Sequence, residues 1–274
     1  MNLNDCDKVE SRKIFVGKGN NSKLVSNYFK DREEFDLMGD KEQFSPHFFF
    51  KWVQSSGEID FYSFKEGKQI VNHIPNICVI THKLELLKTL KDLELELEGQ
   101  GKKMHPSVDT FIPKTYRLDV MSDEIDLIND TSKGVWIYKP RNLNQGKGIR
   151  LICDIEAFKR EFIQSKKFYL GEFALNHMIN YKPELNPSNE PSSESCKYKD
   201  LKQDGLIQHY INPLLLSKKK FDIRCYLFYN SSPCVVLFNE GYLRLTIEDY
   251  TEEDMESEEK LMVHLTNNCF QNKH

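Results

Sequence analysis

Apolar and polar positions alternate along this chain in short runs, broken by a few stretches of helical period. Lys13 to Val16 reads as a first short strand, and Asn20 to Ser22 as a turn or cap ahead of a helix over Lys23 to Phe29. Between Thr81 and Glu98 the leucines fall at Leu86, Leu90, Leu93 and Leu97, a spacing of three and four that predicts an amphipathic helix ending at Gly99. Ile125 to Ile128 is a short apolar piece. Two runs of β-forming residues then follow, Val135 to Tyr138 and Ile149 to Ile152, joined by a polar loop that holds Gly146 and Gly148. Asp154 is placed to cap a helix with Ile155, Phe158 and Phe162 on one face. Leu206 begins an apolar strand that runs to a turn at Asn212 and Pro213.

In FDIRCYLFY, period-two alternation puts Phe221, Ile223, Cys225 and Leu227 on one face, expected to be buried. Lys220, Asp222 and Arg224 share the other. The device repeats in Cys234 to Phe238, a turn at Asn239 to Gly241, and a strand in which Tyr242, Arg244 and Thr246 point together. Two arginines thus stand ready to enter one cleft, where a planar fork of donors suits phosphate or carboxylate groups. A solvated sheet face explains the same alternation.

Composition narrows the class. A chain of 274 residues has room for one or two domains. Hydrophobic content is 39%, aromatics are 12%, and no apolar run approaches the roughly 20 residues of a membrane span. The polar start MNLNDCDKVESRK lacks the apolar core of a signal peptide. Seven cysteines without a C-x-x-C pair read as reduced thiols of a cytosolic protein rather than a disulfide framework or a zinc site. A net charge of −4 gives no support to nucleic-acid binding. The aromatics between Phe44 and Phe64 are assigned to packing rather than to base stacking. Asn180 to Asp204, rich in Pro, Ser, Asn and Glu, is expected to be an inserted, mobile loop with almost nothing to bury. Acidic Glu248 to Glu259 is read as a solvated loop, because no metal-ligand spacing is imposed.

The candidate chemistry centres on Val135 to Ile152. Gly146 and Gly148 remove side chains where backbone must approach a ligand, and Lys139 and Lys147 bring positive charge, a combination that suits a triphosphate. An ordinary exposed hairpin is the other reading. A Walker A loop is excluded, since it would open a helix and this loop leads back into a strand.

Seven blocks in order, IVNHIPN, THKLELLKTLK, VWIYKPRNLNQGKGI, IQHYINPLLL, KKFDIR, FNEGYLR and HLTNNCFQ, resemble the tubulin tyrosine ligase and tubulin tyrosine ligase-like enzymes from about Ile70 onward. NNSKLV and FDLM are weakly similar to tubulin tyrosine ligase itself. The resemblance implies an α/β (α+β) ATP-grasp fold with antiparallel sheets around an ATP cleft, and ligation of an amino acid to tubulin through an acyl phosphate. Tyrosine is favoured, with glutamate and glycine as alternatives.

It further implies that Lys83 and Lys139 contact the nucleotide phosphates and that Gln145, Gly146, Lys147 and Gly148 form the lid. Gln208, His209, Tyr210 and Ile211 would receive the adenine. Lys220 and Asp222 would hold ATP, and Arg224 the phosphate or acyl phosphate. Arg244 would hold a substrate carboxylate or phosphate, while His264, Leu265, Thr266 and Asn267 would line the cleft. The implied partners are tubulin, at its C-terminal tail, and a free amino acid, in a cytoplasmic, microtubule- or cilium-associated setting without nucleic acid or membrane.

ATP and magnesium are the implied cofactors, but no metal ligand is assigned here. The family's Asp and Glu-x-Asn ligands follow its HLTN block, so the sequence reads as a C-terminally incomplete ATP-grasp, and a non-catalytic binding module is the rival reading. The expected organisation is an N-terminal domain over 1–70, a central subdomain over 71–134 and a C-terminal subdomain over 135–274.

Overall fold

The computed structural model describes residues 11–178, 198, 201, 204–232, 234–253, 255–257, 259–267 and 271, with 167–178 as helical backbone alone. The chain divides into two compact units, 1–79 with 229–235, and 80–228 with 236–274.

The first unit is built on four short parallel strands, β1 (Arg12–Val16), β2 (Phe35–Leu37), β3 (Phe50–Trp52) and β4 (Ile70–Val71), in the order β2-β1-β3-β4. Helix α1 (Ser22–Lys30) makes the crossover from β1 to β2, as parallel pairing requires a connection longer than a tight turn. Its core is Ile14, Phe15, Val53 and Ile59. None of the eight aromatics from Phe44 to Phe64 is fully buried, and Phe44 and Tyr62 are exposed outright. The expected packing role therefore fails for those two. It holds in part for Phe61, which lies against Phe15, Val53 and Ile59, and for Phe50, whose ring meets Phe29.

Helix α2 (Cys78–Thr81) carries the chain into the second unit. There, α3 (Lys83–Gly99) and α4 (Val108–Phe111) precede β5 (Thr115–Arg117), and α5 (Met121–Asn129) leads to the hairpin β6 (Trp136–Lys139) and β7 (Arg150–Ile152). After α6 (Ile155–Met178), β8 (Leu206–His209) completes an antiparallel sheet of order β5-β8-β6-β7. This sheet joins β5, from the stretch expected to form a central subdomain, to strands from the stretch that follows. One face carries Trp136, Tyr138 and Ile207 under Phe158 and Phe162 of α6. The other carries Ile137 and Leu151. Asp154 caps α6 as expected, its Oδ1 accepting from the Ala157 backbone at 2.8 Å.

The stripe expected on α3 is displaced. Leu84 and Leu87 are its buried residues, Leu86, Leu90 and Leu97 are half-buried, and Leu93 is exposed. Leucine occurs on several sides of this helix, so the face that meets the sheet is chosen by neighbours and not by its own spacing.

A second sheet orders β13 (Tyr242–Leu245), β10 (Lys219–Arg224) and β9 (Leu215–Leu216), while β11 (Leu227–Tyr229) pairs with β12 (Val235–Leu237). The strands flanking the turn at 239–241 thus pair with other partners rather than with each other. The apolar face expected to be buried is open: Ile223 is 63% and Leu227 63% exposed, and Cys225 is exposed. The polar face is the covered one, because it lies toward α7 (Leu261–His264) and Thr266.

Most of 180–204 lies outside the described residues. Tyr198 within it is buried, packs edge-on to Phe158 and donates to Glu256 at 2.5 Å, so the expectation of nothing to bury does not hold there. No helix among the described residues is long and apolar enough to cross a membrane.

Candidate nucleotide site

The site is assembled by alternation in two strands. In β6, Trp136 and Tyr138 point into the core beneath α6, which sends Lys139 to the opposite face. In β8, Ile207 enters that same core while Leu206 and Gln208 face the other way. Lys139, Leu206 and Gln208, together with Lys83, Leu86 and Leu87 of α3 and Ile112, Pro113 and Thr115, line a cavity of about 200 Å³.

A directed chain of hydrogen bonds sets the polar groups. Lys139 Nζ donates to Gln208 Oε1 at 2.6 Å, Gln208 Nε2 donates to Thr115 Oγ1 at 2.7 Å, and Thr115 Oγ1 donates to the Pro113 carbonyl at 2.5 Å. Because an ammonium can only donate, Lys139 fixes which end of the Gln208 amide faces it. Gly205 lets β8 come this close to β6, since a Cβ there would sit 2.7 Å from the Lys139 carbonyl oxygen and 2.7 Å from the Tyr138 ring. Thr115, Leu206 and Gly205 were not singled out from the sequence. Period-two alternation in β8 was the signal available for Leu206.

Three lysines share the electrostatics. Burial lowers the pKa of Lys83. Burial lowers that of Lys139 as well, helped by the charge of Lys83. Lys220 is brought down to about 8, by burial first and then by the charge of Lys139. None of the three forms an ion pair among the described residues. Lys83 donates to the Leu143 carbonyl at 3.0 Å and Lys220 to the Tyr210 hydroxyl at 3.0 Å.

Tyr210 passes this polarity on. Its oxygen accepts from Lys220 and its hydroxyl lies 3.0 Å from His264 Nδ1. Burial, then the charge of Lys220, lowers His264 to about 4, so the ring is neutral near pH 7. Nε2 of the same ring is buried and has no hydrogen-bond partner among the described residues.

On β10 the carboxylate of Asp222 receives both prongs of Arg244, Nε to Oδ1 and Nη2 to Oδ2 at 2.6 Å each, from the residue directly opposite in the ladder. Thr266 Oγ1 also donates to Asp222. Burial would raise this carboxyl, but the hydrogen bonds from Arg244 and Thr266 outweigh it and hold the pKa below the usual range. The side chain of Arg224, half-buried at the end of β10, forms no hydrogen bond or ion pair within the described residues, though its charge acts on Asp222.

The remaining expected residues are distributed unevenly. Gln145, Gly146 and Gly148 turn the β6–β7 loop through positive φ (64°, 79° and 67°), and Lys147 is exposed. His209 lies on the far face of β8 with its ring edge-on to Trp136. Ile211 is exposed, Leu265 is buried with Ile137 and Leu151, and Asn267 is half-buried. Among the described residues, no group of three or more His, Cys, Asp or Glu side chains stands close enough together to hold a metal.

Residues 62–274 match the sequence model of the tubulin-tyrosine ligase family. The chain belongs to this family. Mouse "Protein polyglycylase TTLL10" is 29% identical over 272 residues, covering 95% of this chain and 34% of that protein. Human "Inactive polyglycylase TTLL10" is 26% identical over 296 residues, covering 95% and 40%. Tetrahymena thermophila "Probable alpha-tubulin polyglutamylase Ttll1" is 29% identical over 214 residues, covering 74% and 45%. The chain thus spans between a third and a half of each of these relatives. Of the three lysines, Lys83 and Lys139 line the cavity itself.

Proposed function

We propose that this chain carries the nucleotide-binding part of a ligase that uses ATP to join an amino acid to tubulin. In that reaction a carboxylate oxygen takes the γ-phosphoryl group, ADP leaves, and an incoming amine attacks the acyl phosphate carbon to expel phosphate and leave an amide. The observation that carries the proposal is the grouping of Lys83, Lys139 and Lys220, three cations weakened by burial, Lys139 also by Lys83 and Lys220 also by Lys139, with no ion pair among the described residues and only the charge of Asp222 acting against the shift at Lys220. Such an arrangement is costly when empty and is compensated when an anion enters. Catalysis of phosphoryl transfer consists mainly of positioning and charge neutralisation, which is what these groups supply.

Lys83 and Lys139 would hold phosphates, and Gln208, with its amide orientation set by Lys139 and Thr115, would hold a neutral part of the nucleotide. A cavity of about 200 Å³ is smaller than the roughly 300–1,000 Å³ usual for small-molecule sites, so the nucleotide would extend beyond it toward Lys220. Arg224 is free to meet the phosphate or acyl phosphate. Arg244 would have to exchange Asp222 for a substrate carboxylate, a step Arg224 does not face. Magnesium, implied by the family, would add charge neutralisation at the phosphates when bound.

The sequence resemblance favours tyrosine as the amino acid. The relatives' names, polyglycylase and polyglutamylase, support glycine or glutamate instead, with tubulin as acceptor and microtubules or cilia as the setting. The second reading is a module that binds nucleotide without ligating, supported by a relative that bears the name inactive polyglycylase. Calorimetry with magnesium and ATP, followed by incorporation of labelled glycine, glutamate and tyrosine into tubulin, separates the two. Binding with incorporation supports the ligase, binding alone supports the module, and absence of binding removes both.

A further inference from the structure

The loop between β6 and β7 is tied to the start of α3 at two points two residues apart. Arg141 Nη2 donates to Glu85 Oε1 at 3.3 Å, and Lys83 Nζ donates to the Leu143 carbonyl at 3.0 Å. Arg141 Nη1 also donates to Asp119 Oδ2 at 3.1 Å. Asp119 is itself a fixed partner, because Arg117 grips both of its oxygens at 2.9 Å and its pKa is lowered chiefly by that contact. These groups are part-covered rather than open, with 36% of the Arg141, 31% of the Glu85 and 20% of the Asp119 side chain exposed.

The two ties differ in kind. Lys83 is bound to a neutral carbonyl, and a phosphate oxygen is the stronger acceptor for an ammonium, so an entering triphosphate would take Lys83 from Leu143. Arg141 is bound to two carboxylates, charged acceptors that a phosphate oxygen does not outmatch as it does a neutral carbonyl. We propose that Arg141 is a positioning residue that roots the β6–β7 loop on Asp119 and Glu85, so that nucleotide entry frees the loop from Leu143 onward while its base stays in place over the cavity. This rests on the ATP reading above for the ligand, though not for the anchor itself.

The test is hydrogen exchange of the loop amides at 142–149 in the full chain and in Arg141→Gln, without nucleotide and with magnesium and a non-hydrolysable ATP analogue, together with the analogue's Kd. Removing the ion pairs should speed loop exchange and weaken the Kd, each by about fivefold, the upper end for partly exposed pairs. Exchange in β6 and β8 should not change. Arg141→Lys should restore part of both effects, since one ammonium meets one carboxylate at a time. Unchanged loop exchange in Arg141→Gln would overturn the proposal, and so would faster exchange spread through β6 and β8, which would mark Arg141 as merely structural. If the unmodified chain fails to bind the analogue, the ATP reading falls, while loop exchange without nucleotide still decides whether Arg141 is the anchor.

Discussion

The two sheets of the second unit use the same alternation to opposite ends. In β5-β8-β6-β7 both faces are covered: Trp136 and Tyr138 lie against Phe158 and Phe162, and Ile137 lies with Leu151, Leu261 and Leu265. In β13-β10-β9 the apolar side, with Ile223, Leu243 and Leu245, is exposed, while Lys220, Asp222 and Arg244 are half-buried and Thr246 is fully buried. A period of two states which residues share a face, and says nothing about which face is inside. In the first sheet the hydrophobic effect decides. In the second, the polar side is closed over by α7 and Thr266, and charge must be satisfied there by pairing or left waiting for a ligand. Asp222 and Arg244 pair with each other, whereas Lys220 donates to the neutral Tyr210 hydroxyl.

Substitutions on the two sheets break this comparison most sharply. Trp136→Ala should destabilise the chain by about 3–5 kcal/mol in denaturant unfolding, as expected for deleting a large, fully buried side chain. Ile223→Ala, on the open face, should change stability by no more than about 0.5 kcal/mol. A large loss at Ile223 would mean that its face is covered in solution.

Next in size is Asp222→Ala, which strands the Arg244 fork and the Thr266 hydroxyl and should cost about 1.5–3 kcal/mol of stability. Adding Arg244→Ala should recover part of that loss, because the unpaired cation is then gone. Additive losses would show that the pair is not coupled.

Lys139→Met should have the contrary signature. Nucleotide affinity should fall by about 1.5–3 kcal/mol, the worth of a hydrogen bond to a charged group. The thermal midpoint should hold or rise, because a buried cation has been replaced by a thioether of similar length. Calorimetry and a melting curve on one sample check both halves, and a falling midpoint with unchanged affinity would move Lys139 from ligand binding to structure.

A further expected effect is on pH dependence. Lys220 titrates near 8 in the folded chain against 10.5 unfolded, so the unfolded chain holds more protons between those values and stability should rise across that window. Below about pH 8 the cost of the buried charge is fully present. ATP affinity should move the other way, weakening as pH climbs past 8 and the ammonium is lost. In Lys220→Met both slopes should flatten, and slopes that persist would assign them to another group.

Local chemistry in the sequence is enough for the β6–β7 hairpin and for the Asp154 cap with Ile155, Phe158 and Phe162 behind it, while the antiparallel character of the second unit was implied by the family resemblance. Turn residues, caps and β-forming runs act over a few positions, and nothing distant overrides them here. Lys83, Lys139, Gln208 and Lys220 were named through ordered blocks that run from about Ile70 onward, and the structure brings the first three to one cavity. Only the tertiary structure decided that Leu84 and Leu87 are the buried leucines of α3, that the polar side of β10 is the inner one, and that Arg244 is held by Asp222. It alone brings Thr115 beneath Gln208, Gly205 against Lys139, and Asp119 and Glu85 to Arg141 across 22 and 56 residues of chain. Those contacts depend on which surfaces meet, and burial is a property of the neighbours a residue acquires, which no local spacing encodes.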